Sequence, residues 1–496
     1  MGRASLYEGY GMRVLLIASE MTPFARTGGL ADVMGMLPGA LANEGVVADA
    51  ILPCYEAIER HFDLKPTGIT FTINMAGTAM PAEVLSHPLG YGAGTAWFIK
   101  NNEYYGRSGI YGDEHGDFED NCERFIFFCR AAIEAAHHLN VPFEVIHCCD
   151  WQTGLVPVYQ HVYSYGSDVL RNARSVFNIH NLAYQGVFWH WDWPLTGLDW
   201  SLFNWQGLEY YGKINFMKGG IMFADAITVV SKSYSREIQT PEFGCGLDGV
   251  FRYRSDALHG ILTGLDTSVW DPANDPALPA RFSVQDLSGK QVCRKALLDE
   301  LHLDADGALP VICMAGELQE SKGIDLVLEC LDELLALPAC LVFAGTGRRR
   351  RLDGIAAAVA KHPGRAVFRE APDAAFVRRL YAGADMCLVP SRFEPAGISQ
   401  LRGLRYGAVP VASAAGGLAD TVGDFTPEGL DRAESTGFVI MSHNATTLVE
   451  EVEHAVRCFH SPDIWNRLVR NAMMKDFSFQ RGASLYKELY AKTCSV

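Results

Sequence analysis

The 496-residue sequence has no long apolar segment and little positive charge. No stretch approaches the roughly 20 uninterrupted apolar residues of a membrane-spanning helix. Lys and Arg number 42 against 58 Asp and Glu, so the formal net charge is -16 at pH 7. Nucleic acids and anionic membrane surfaces both select basic proteins, and neither is therefore expected as the main partner.

Closely spaced cysteine pairs are also missing. The thirteen cysteines contain no Cys-x-x-Cys pair, and their odd number does not suggest a disulfide framework. The motif HCCD, which starts at His147, has adjacent polar residues that a strand would point to opposite faces, so no metal site is predicted. The first residues, MGRASLYEGYG, lack the apolar core of a signal peptide. Reduced thiols in a cytoplasmic protein are the expectation.

What the sequence does contain is a repeated unit, in which a short apolar run ends in small or polar residues and a helical pattern follows. The runs are RVLLIASE, FEVIHCCD, SVFNIHN, AITVVSKS, LPVICMAGE, ACLVFAGTG, DMCLVPSRFE and VPVASAAGG. Such alternation is typical of an α/β fold whose parallel sheet is covered on both faces. The segment DTSVWDPANDPALPARF, rich in Pro and Asp, divides the runs into two groups and predicts a linker. Two doubly wound domains that face a central cleft are expected.

Ligands of such sheets bind beyond the carboxyl ends of the strands, which selects candidate residues. Polar or glycine residues follow the apolar runs at Asp150, His180, Asn181, Glu317, Gly345, Gly347, Glu394, Gly416 and Gly417. Each of these alone is better explained as a turn residue or a helix cap. Together they favour a polyhydroxylated and phosphorylated ligand.

The motif RTGGLADV follows the first predicted strand, over residues 14–18, and precedes a predicted helix. Its adjacent glycines, Gly28 and Gly29, allow the backbone to approach a ligand closely, and a helix N-terminus favours an anion. The sequence contains no Walker loop, and no dinucleotide fingerprint follows the first strand. From the residues alone, the chain is predicted to be a two-domain enzyme for a phosphorylated or nucleotide ligand.

Seven motifs, in order along the chain, resemble those of bacterial glycogen synthases and plant starch synthases. They are RTGGLADV, DWQTGL, IHNLAYQGVF, ADAITVVSKSYSREIQTPEFGCGLDG, SKGIDLV, PSRFEPAGISQLRGLRYGAVPV and GGLADTV. The resemblance implies a GT-B fold with two Rossmann-like domains, over residues 12–262 on the acceptor side and 263–475 on the donor side. Residues 476–496 would form a helix that returns to the first domain.

The resemblance also implies an activity. Members of the family are hexosyltransferases that move glucose from ADP-glucose to the non-reducing end of an α-1,4-glucan, such as glycogen or a maltooligosaccharide. They retain the anomeric configuration and need no metal or other cofactor. The partners expected for this chain are therefore a glucan and a sugar nucleotide, whereas its oligomeric state is left open.

Residue by residue, the resemblance implies four catalytic positions, His180, Glu394, Lys322 and Asp150. Glu394 would face the positive charge that develops at C1 of the sugar, Lys322 would hold phosphate, and Asp150 and His180 would lie beside the transferred glucose. The positions implied at the donor are Arg26, Gly28, Gly29, Asn181, Glu317, Gly345, Gly347, Arg348, Pro372, Gly397, Gly416 and Gly417.

Several of these positions depart from the family pattern. Glu317 stands where the family has a diphosphate-binding arginine, and Pro372 stands where it commonly has a tyrosine against the adenine. Arg26 replaces a lysine, and Gln152, Thr263 and Ala396 replace a histidine, an asparagine and a cysteine. The arginine run that begins at Arg348 is a possible compensation. Two alternatives therefore stay open: a retaining transferase for another activated sugar, or a weakly catalytic paralogue that binds glucan or regulates a synthase.

Overall fold

The computed structural model describes residues 11–90, 94–163, 167–304 and 309–495. The motif MGRASLYEGYG thus lies almost entirely outside the described residues. The chain divides into two compact units. The first comprises the described residues up to Val230, together with Ser235–Thr263 and the residues from Phe479 onward. The second comprises Ser231–Tyr234 and Gly264–Ser478.

Strands and helices alternate along most of the described chain. The strands are β1 Arg13–Ile17, β2 Val47–Pro53, β3 Lys65–Met75, β4 Thr78–Pro88, β5 Thr95–Lys100, β6 Gly112–Asp113, β7 Gly116–Asp117, β8 Val145–Cys149, β9 Arg174–Ile179, β10 Val187–Trp189, β11 Glu209–Tyr210, β12 Lys213–Asn215, β13 Ala226–Val229, β14 Leu258–Gly260, β15 Val311–Glu317, β16 Cys340–Thr346, β17 Ala366–Glu370, β18 Met386–Val389, β19 Val409–Ser413 and β20 Phe438–Ile440. The helices are α1 Gly29–Asn43, α2 Glu56–His61, α3 Asn102–Tyr105, α4 Asn121–Leu139, α5 Val156–Tyr163, α6 Asp168–Asn172, α7 Trp193–Thr196, α8 Phe216–Phe223, α9 Lys232–Glu237, α10 Asp248–Tyr253, α11 Ser288–Leu301, α12 Ile324–Glu329, α13 Leu331–Ala336, α14 Arg349–Val359, α15 Ala374–Gly383, α16 Ser399–Tyr406, α17 Gly416–Thr421, α18 Pro427–Asp431, α19 Ala445–Phe459, α20 Pro462–Met474 and α21 Phe479–Cys494. None of the described helices is long and apolar enough to cross a bilayer.

The first unit is built on a nine-stranded sheet in the order β14-β13-β9-β8-β1-β2-β5-β4-β3. Seven of these strands run parallel, and the edge hairpin β3–β4 is antiparallel. The strand order reverses between β1 and β8. Because ligands of doubly wound sheets bind where the order reverses, the carboxyl ends of β1 and β8 are the expected binding edge.

The second unit has a six-stranded parallel sheet in the order β17-β16-β15-β18-β19-β20. Its strands are therefore arranged 3-2-1-4-5-6 in chain order, as in dinucleotide-binding domains. The order reverses between β15 and β18, whose residues Val311–Met314 and Met386–Val389 are all buried. Full burial explains their continuous apolar sequences, since helices cover both faces of such a sheet.

All eight apolar runs of the sequence form strands, and the prediction of parallel α/β sheets is confirmed. Two details of the prediction are wrong. The first strand covers Arg13–Ile17 rather than residues 14–18. Glu394 does not follow its strand directly, because β18 ends five positions earlier at Val389.

The Pro- and Asp-rich segment contains no helix or strand, as predicted, but it is anchored rather than loose. Asp275 is buried and accepts a hydrogen bond of 2.6 Å from the Tyr406 hydroxyl. The Trp270 ring packs against the Tyr406 ring. The Arg402 guanidinium lies over the Trp270 ring, 4.2 Å from its centroid. The segment therefore belongs to the packing of the second unit.

Candidate functional site

In the first unit, Asp150 directly follows β8 and His180 directly follows β9, its neighbour in the sheet. Asp150 Oδ1 accepts a hydrogen bond of 2.8 Å from the backbone N–H of His180. Its second oxygen, Oδ2, lies 3.6 Å from His180 Nδ1. Each side chain is only 12% exposed, so the pair forms a nearly dry, polar edge at the carboxyl ends of the strands.

The backbone of Asp150 has φ +58° and ψ -179°, a conformation that side-chain-bearing residues rarely adopt. Asp150 begins the turn into the helical segment at Trp151. The hydrogen bond from the His180 N–H to its side chain helps to hold this unusual backbone conformation. Both ring nitrogens of His180 are buried and find no hydrogen-bond partner among the described residues. Such unsatisfied buried groups are unfavourable unless a ligand pairs with them. This edge can therefore receive hydroxyl groups.

Asn181, the next predicted site residue, has a local structural task. Its Oδ1 accepts a hydrogen bond of 3.0 Å from the N–H of Ala183, which stabilises the turn after β9. Asn181 is half-buried. Its role at the donor stays a prediction.

The glycine turn before α1 contains an anion from the chain itself. The Glu20 carboxylate, only 3% exposed, accepts hydrogen bonds from the N–H groups of Thr27 and Gly28. The Thr27 hydroxyl donates to its other oxygen at 2.8 Å, and the Tyr111 hydroxyl donates to that oxygen at 2.7 Å. Glu20 thus pairs with N–H groups of the turn that were expected to bind a ligand anion. Gly29 begins α1 directly after this turn.

Sequence reasoning missed Glu20 and Tyr111. A carboxylate three residues after a buried strand and eight positions before two adjacent glycines was the available signal for Glu20. For Tyr111, 91 positions away along the chain, the sequence offers no signal. Arg26, also predicted at the donor, donates from Nε and Nη2 to Asp32 at 2.8 and 3.1 Å and is largely exposed.

Behind Asp150 and His180, the last helix supplies two buried tyrosines to strands β8 and β9. The Tyr490 hydroxyl lies 2.6 Å from His147 Nδ1, and the Tyr486 hydroxyl bonds with the Asn178 amide. All four side chains are buried. They connect α21 to the two strands whose ends carry the predicted catalytic residues.

Burial lowers the pKa of His147 to about 3, and the nearby His180 contributes to the lowering. In the unfolded chain the pKa of His147 is about 6.5. As the pH falls, the unfolded chain therefore takes up a proton on His147 at a higher pH than the folded chain does. The stability that neutral His147 provides is complete above pH 6.5 and is lost as the pH falls from there toward 3. By pH 5 this loss reaches about 2 kcal/mol.

We expect His147→Asn to remove most of this loss, which denaturant unfolding at pH 7 and pH 5 will measure. The exposed His61, changed to Asn, is the matched control and should leave the pH dependence unaltered. An equal loss of stability in wild type and His147→Asn between the two pH values would contradict the prediction.

In the second unit, Lys322 and Glu394 form a close ion pair. Lys322 Nζ lies 2.8 Å from both carboxylate oxygens of Glu394. The Ser391 hydroxyl donates to Glu394 Oε2 at 2.9 Å. The Glu394 side chain is 11% exposed and that of Lys322 is 31% exposed, so the lysine is the more accessible partner. Glu317 lines the same small cavity, of about 50 Å³, with both of them.

The predicted donor glycines of this unit pack against backbone. A Cβ on Gly416, whose φ is +44°, would lie 2.2 Å from the Glu394 carbonyl oxygen, and the Gly417 N–H donates to that oxygen at 2.9 Å. Added Cβ atoms would also be 3.0 Å or less from neighbouring atoms at Gly345, Gly347, Gly397 and Gly417. Close packing explains glycine at these positions: the neighbours are the Glu394 and Ala396 backbone at Gly416 and Gly417, the Gly316 and Leu318 backbone at Gly345 and Gly347, and the Gln400 side chain at Gly397. A contact with the donor stays a prediction.

A larger cavity, of about 440 Å³, lies at the carboxyl ends of β15 and β16. It is lined by Glu317, Gln319, Glu320, Ser321, Thr346, Gly347, Arg348 and Arg351. Glu317 is exposed, and its carboxylate accepts a hydrogen bond of 2.7 Å from the Gln319 amide. Arg351 forms an ion pair with Glu320, whereas Arg348 is exposed at the start of α14.

The possible compensation predicted from the sequence was the four-arginine run that begins at Arg348. Within that run, Arg351 is only 21% exposed and lies on the cavity wall, paired with Glu320. No ion pair of Glu317 occurs within the described part of the chain. Pro372 is half-buried two residues after β17, in the turn that precedes α15.

We expect ADP binding to tighten in the order Glu317, Glu317→Ala, Glu317→Arg. A carboxylate at the cavity wall repels a diphosphate, and an arginine attracts it. Because position 317 is exposed, screening reduces the effect, and about tenfold between Glu and Arg is the expected size. Calorimetric titration with ADP at one salt concentration measures it, with Glu300→Ala and Glu300→Arg as controls at an exposed site. Equal affinities would show that the carboxylate does not face the diphosphate.

Comparison with known proteins agrees with this fold. A model of the starch synthase catalytic domain matches residues 13–253, and a model of glycosyl transferases group 1 matches residues 302–472. The catalytic domain of starch synthase IV from Arabidopsis thaliana, solved with ADP and acarbose, superimposes with a TM-score of 0.86. It is 31% identical and covers 98% of this chain and 100% of that one. A sucrose-phosphate synthase from Thermosynechococcus elongatus, at 19% identity and a TM-score of 0.57, shares the fold. The protein is thus an α/β glycosyltransferase of the GT-B type.

Full-length relatives narrow the class further. A glycogen synthase from Anaeromyxobacter sp. (strain Fw109-5) is 41% identical over 481 residues, which cover 97% of this chain and 99% of that protein. Glycogen synthase 2 from Geobacter sulfurreducens is 38% identical over 480 residues, covering 97% and 98%. The chain belongs to the glycogen and starch synthase family of glucosyltransferases.

Proposed function

We propose that this glucosyltransferase moves glucose from ADP-glucose to the non-reducing end of an α-1,4-glucan, with retention of configuration. The observation that carries the proposal is the Lys322–Glu394–Ser391 cluster near the strand-order reversal of the second sheet. The relatives named glycogen synthase, and the ADP and acarbose bound to starch synthase IV, support the choice of donor and acceptor.

In the proposed reaction, the bond between C1 of glucose and the diphosphate breaks and the terminal hydroxyl oxygen of the glucan bonds to C1, while the hydroxyl proton leaves with the diphosphate. Charge separates as the first bond breaks. The departing diphosphate gains negative charge, which the Lys322 ammonium neutralises. The sugar gains positive charge at C1, which the Glu394 carboxylate stabilises. Without a donor, Lys322 and Glu394 pair with each other at 2.8 Å. When a donor binds, the ammonium of Lys322 would interact with the phosphate and the carboxylate of Glu394 with the sugar.

Asp150 and His180 have a different role in the proposal. Their nearly dry edge supplies the buried, unpartnered ring nitrogens of His180, which suit the hydroxyl groups of a glucose unit. Asp150 orients His180 through the backbone bond and lies within 3.6 Å of its ring. That these residues and Glu394 act on one sugar stays a prediction.

The cavity beside β15 and β16 favours one alternative, a retaining transferase with a different activated glucose. Glu317 and Glu320 place two carboxylates on its wall beside Arg348 and Arg351. Such a mixed wall attracts a diphosphate less than an all-cationic one.

A donor panel with glycogen as acceptor distinguishes the two candidates. The proposed function predicts that ADP-glucose gives the highest rate of transfer among ADP-, UDP- and GDP-glucose and glucose 1-phosphate. A clear preference for another donor supports the alternative. Binding of glycogen without transfer from any donor would contradict both, and it would indicate the weakly catalytic paralogue.

The compartment proposed is the cytoplasm. All thirteen cysteines are unpaired, and all but Cys245 and Cys494 are buried. Burial raises the pKa of most of these thiols, which keeps them protonated and unreactive.

A further inference from the structure

Four of the nine tryptophans lie exposed within one segment of the first unit. Trp189, Trp191, Trp200 and Trp205 are 62%, 78%, 56% and 62% exposed. Tyr211, in the same segment, is 84% exposed. Grouped exposed aromatic rings mark a binding surface, and no residue of the site described above accounts for them.

The three-stranded sheet β10-β12-β11 holds part of this surface together. Trp189 is paired in register with Lys213, which is paired with Tyr210, so these three side chains share one face of the sheet. Lys213 Nζ lies 5.3 Å from the Trp189 ring centroid. The Tyr210 ring packs against Tyr211 at 4.8 Å. The exposed rings are therefore held by neighbours rather than free.

His190 connects this sheet to the remaining tryptophans. Its ring lies 4.4 Å from that of Trp191 and 6.5 Å from that of Phe203, which in turn packs on Trp200 at 5.5 Å. His190 Nδ1 lies 3.1 Å from the Gly212 carbonyl oxygen. A continuous series of contacts thus joins the rings, and we call them the tryptophan surface. It consists of Trp189, Trp191, Trp200 and Tyr211.

The sheet that carries part of the tryptophan surface also packs beside the Asp150 edge. Phe188 points to the opposite face of β10 from Trp189 and packs on Trp151 at 5.7 Å and on Phe216 at 4.9 Å. Trp151 directly follows Asp150. One small sheet therefore packs on Trp151, the neighbour of Asp150, with one face and presents Trp189 on the other.

We propose that the tryptophan surface binds an α-1,4-glucan chain outside the reaction centre and keeps a polymeric acceptor close to it. The ring faces suit the apolar C–H face of a pyranose, and the Lys213 ammonium beside Trp189 suits its hydroxyl groups. An uncharged polymer is also the occupant that a net charge of -16 does not repel, unlike an anionic membrane. Only the choice of glucan as ligand rests on the proposed function.

The test compares wild type with Trp191→Ala and with the double variant Trp189→Ala/Trp191→Ala. Glycogen affinity electrophoresis and tryptophan fluorescence with maltoheptaose, both without any donor, measure binding. We expect at least tenfold weaker glycogen binding in the double variant, because two stacking contacts with the sugar rings are lost. Tyr163→Ala, a partly exposed aromatic on α5, is the matched control and should bind as wild type does.

Transfer assays separate this inference from the proposed function. With ADP-glucose and the short acceptor maltotriose, the double variant should keep its kcat within twofold while its KM for glycogen rises. Unchanged glycogen binding in the double variant would overturn the inference, and so would preferential binding of phosphatidylcholine–phosphatidylglycerol vesicles or self-association through these residues. Tryptophan-dependent glycogen binding without transfer from ADP-glucose would support the inference and contradict the proposed function.

Discussion

Replacing Glu394 by Gln is expected to lower the rate of glucosyl transfer about 10³-fold. The substitution keeps the size of the side chain and its acceptor oxygen for Ser391, but it removes the negative charge beside the developing positive charge at C1. The melting temperature should change little. The ion pair with Lys322 is partly exposed, and such pairs contribute about 1 kcal/mol or less.

The measurement is the steady-state kcat with glycogen and the preferred donor, together with thermal unfolding. Glu300→Gln is the control, because Glu300 also accepts from a basic residue, Arg379, at an exposed position. It should keep full activity. A Glu394→Gln protein that folds and retains wild-type kcat would show that the carboxylate takes no part in transfer.

Asp150→Asn is expected to reduce kcat about 10²-fold, since the ring of His180 loses the carboxylate 3.6 Å away. Asn is the suitable replacement because it keeps the size of the side chain and still offers an oxygen to the His180 N–H. The fold should therefore persist. Steady-state kinetics and circular dichroism measure the two effects.

A matched control exists at the other end of the same strand. Asp225 accepts from the backbone N–H and hydroxyl of Ser175 at the amino end of β9, as Asp150 accepts from His180 at its carboxyl end. Asp225→Asn should alter stability without changing kcat. If both variants lose activity equally, Asp150 acts through the stability of the strand and not through the reacting sugar.

The strands of the parallel sheets were readable from the sequence because they are buried on both faces. Runs such as VLLI after Arg13 have no polar alternation, and eight of them became strands. The hairpin β3–β4 at the sheet edge was missed because it contains no such run: many of its residues are exposed and alternate with partly buried ones. Strand order and register depend on contacts between distant segments, which no local pattern contains.

The candidate site was predictable only in part. Polar residues after buried strands, such as Asp150 and His180, stand out against the apolar runs. Their partners do not stand out, because they come from elsewhere in the chain. Tyr490 and His147, for example, are 343 positions apart. The role of Glu317 likewise depends on Gln319 and on the cavity wall that it shares with Arg348 and Arg351, and the sequence alone did not show which arginines of the run face that cavity.

The sequence by itself determined the α/β class, the parallel strands and the family, since these follow from buried apolar runs and from ordered motifs. Tertiary structure alone decided which anion the glycine turn holds, which cation Glu394 pairs with and which aromatic rings stay exposed. The reason is physical. Burial and hydrogen-bond pairing are properties of the packed chain, and Glu20 became the internal anion of the turn only because Thr27, Gly28 and Tyr111 surround it.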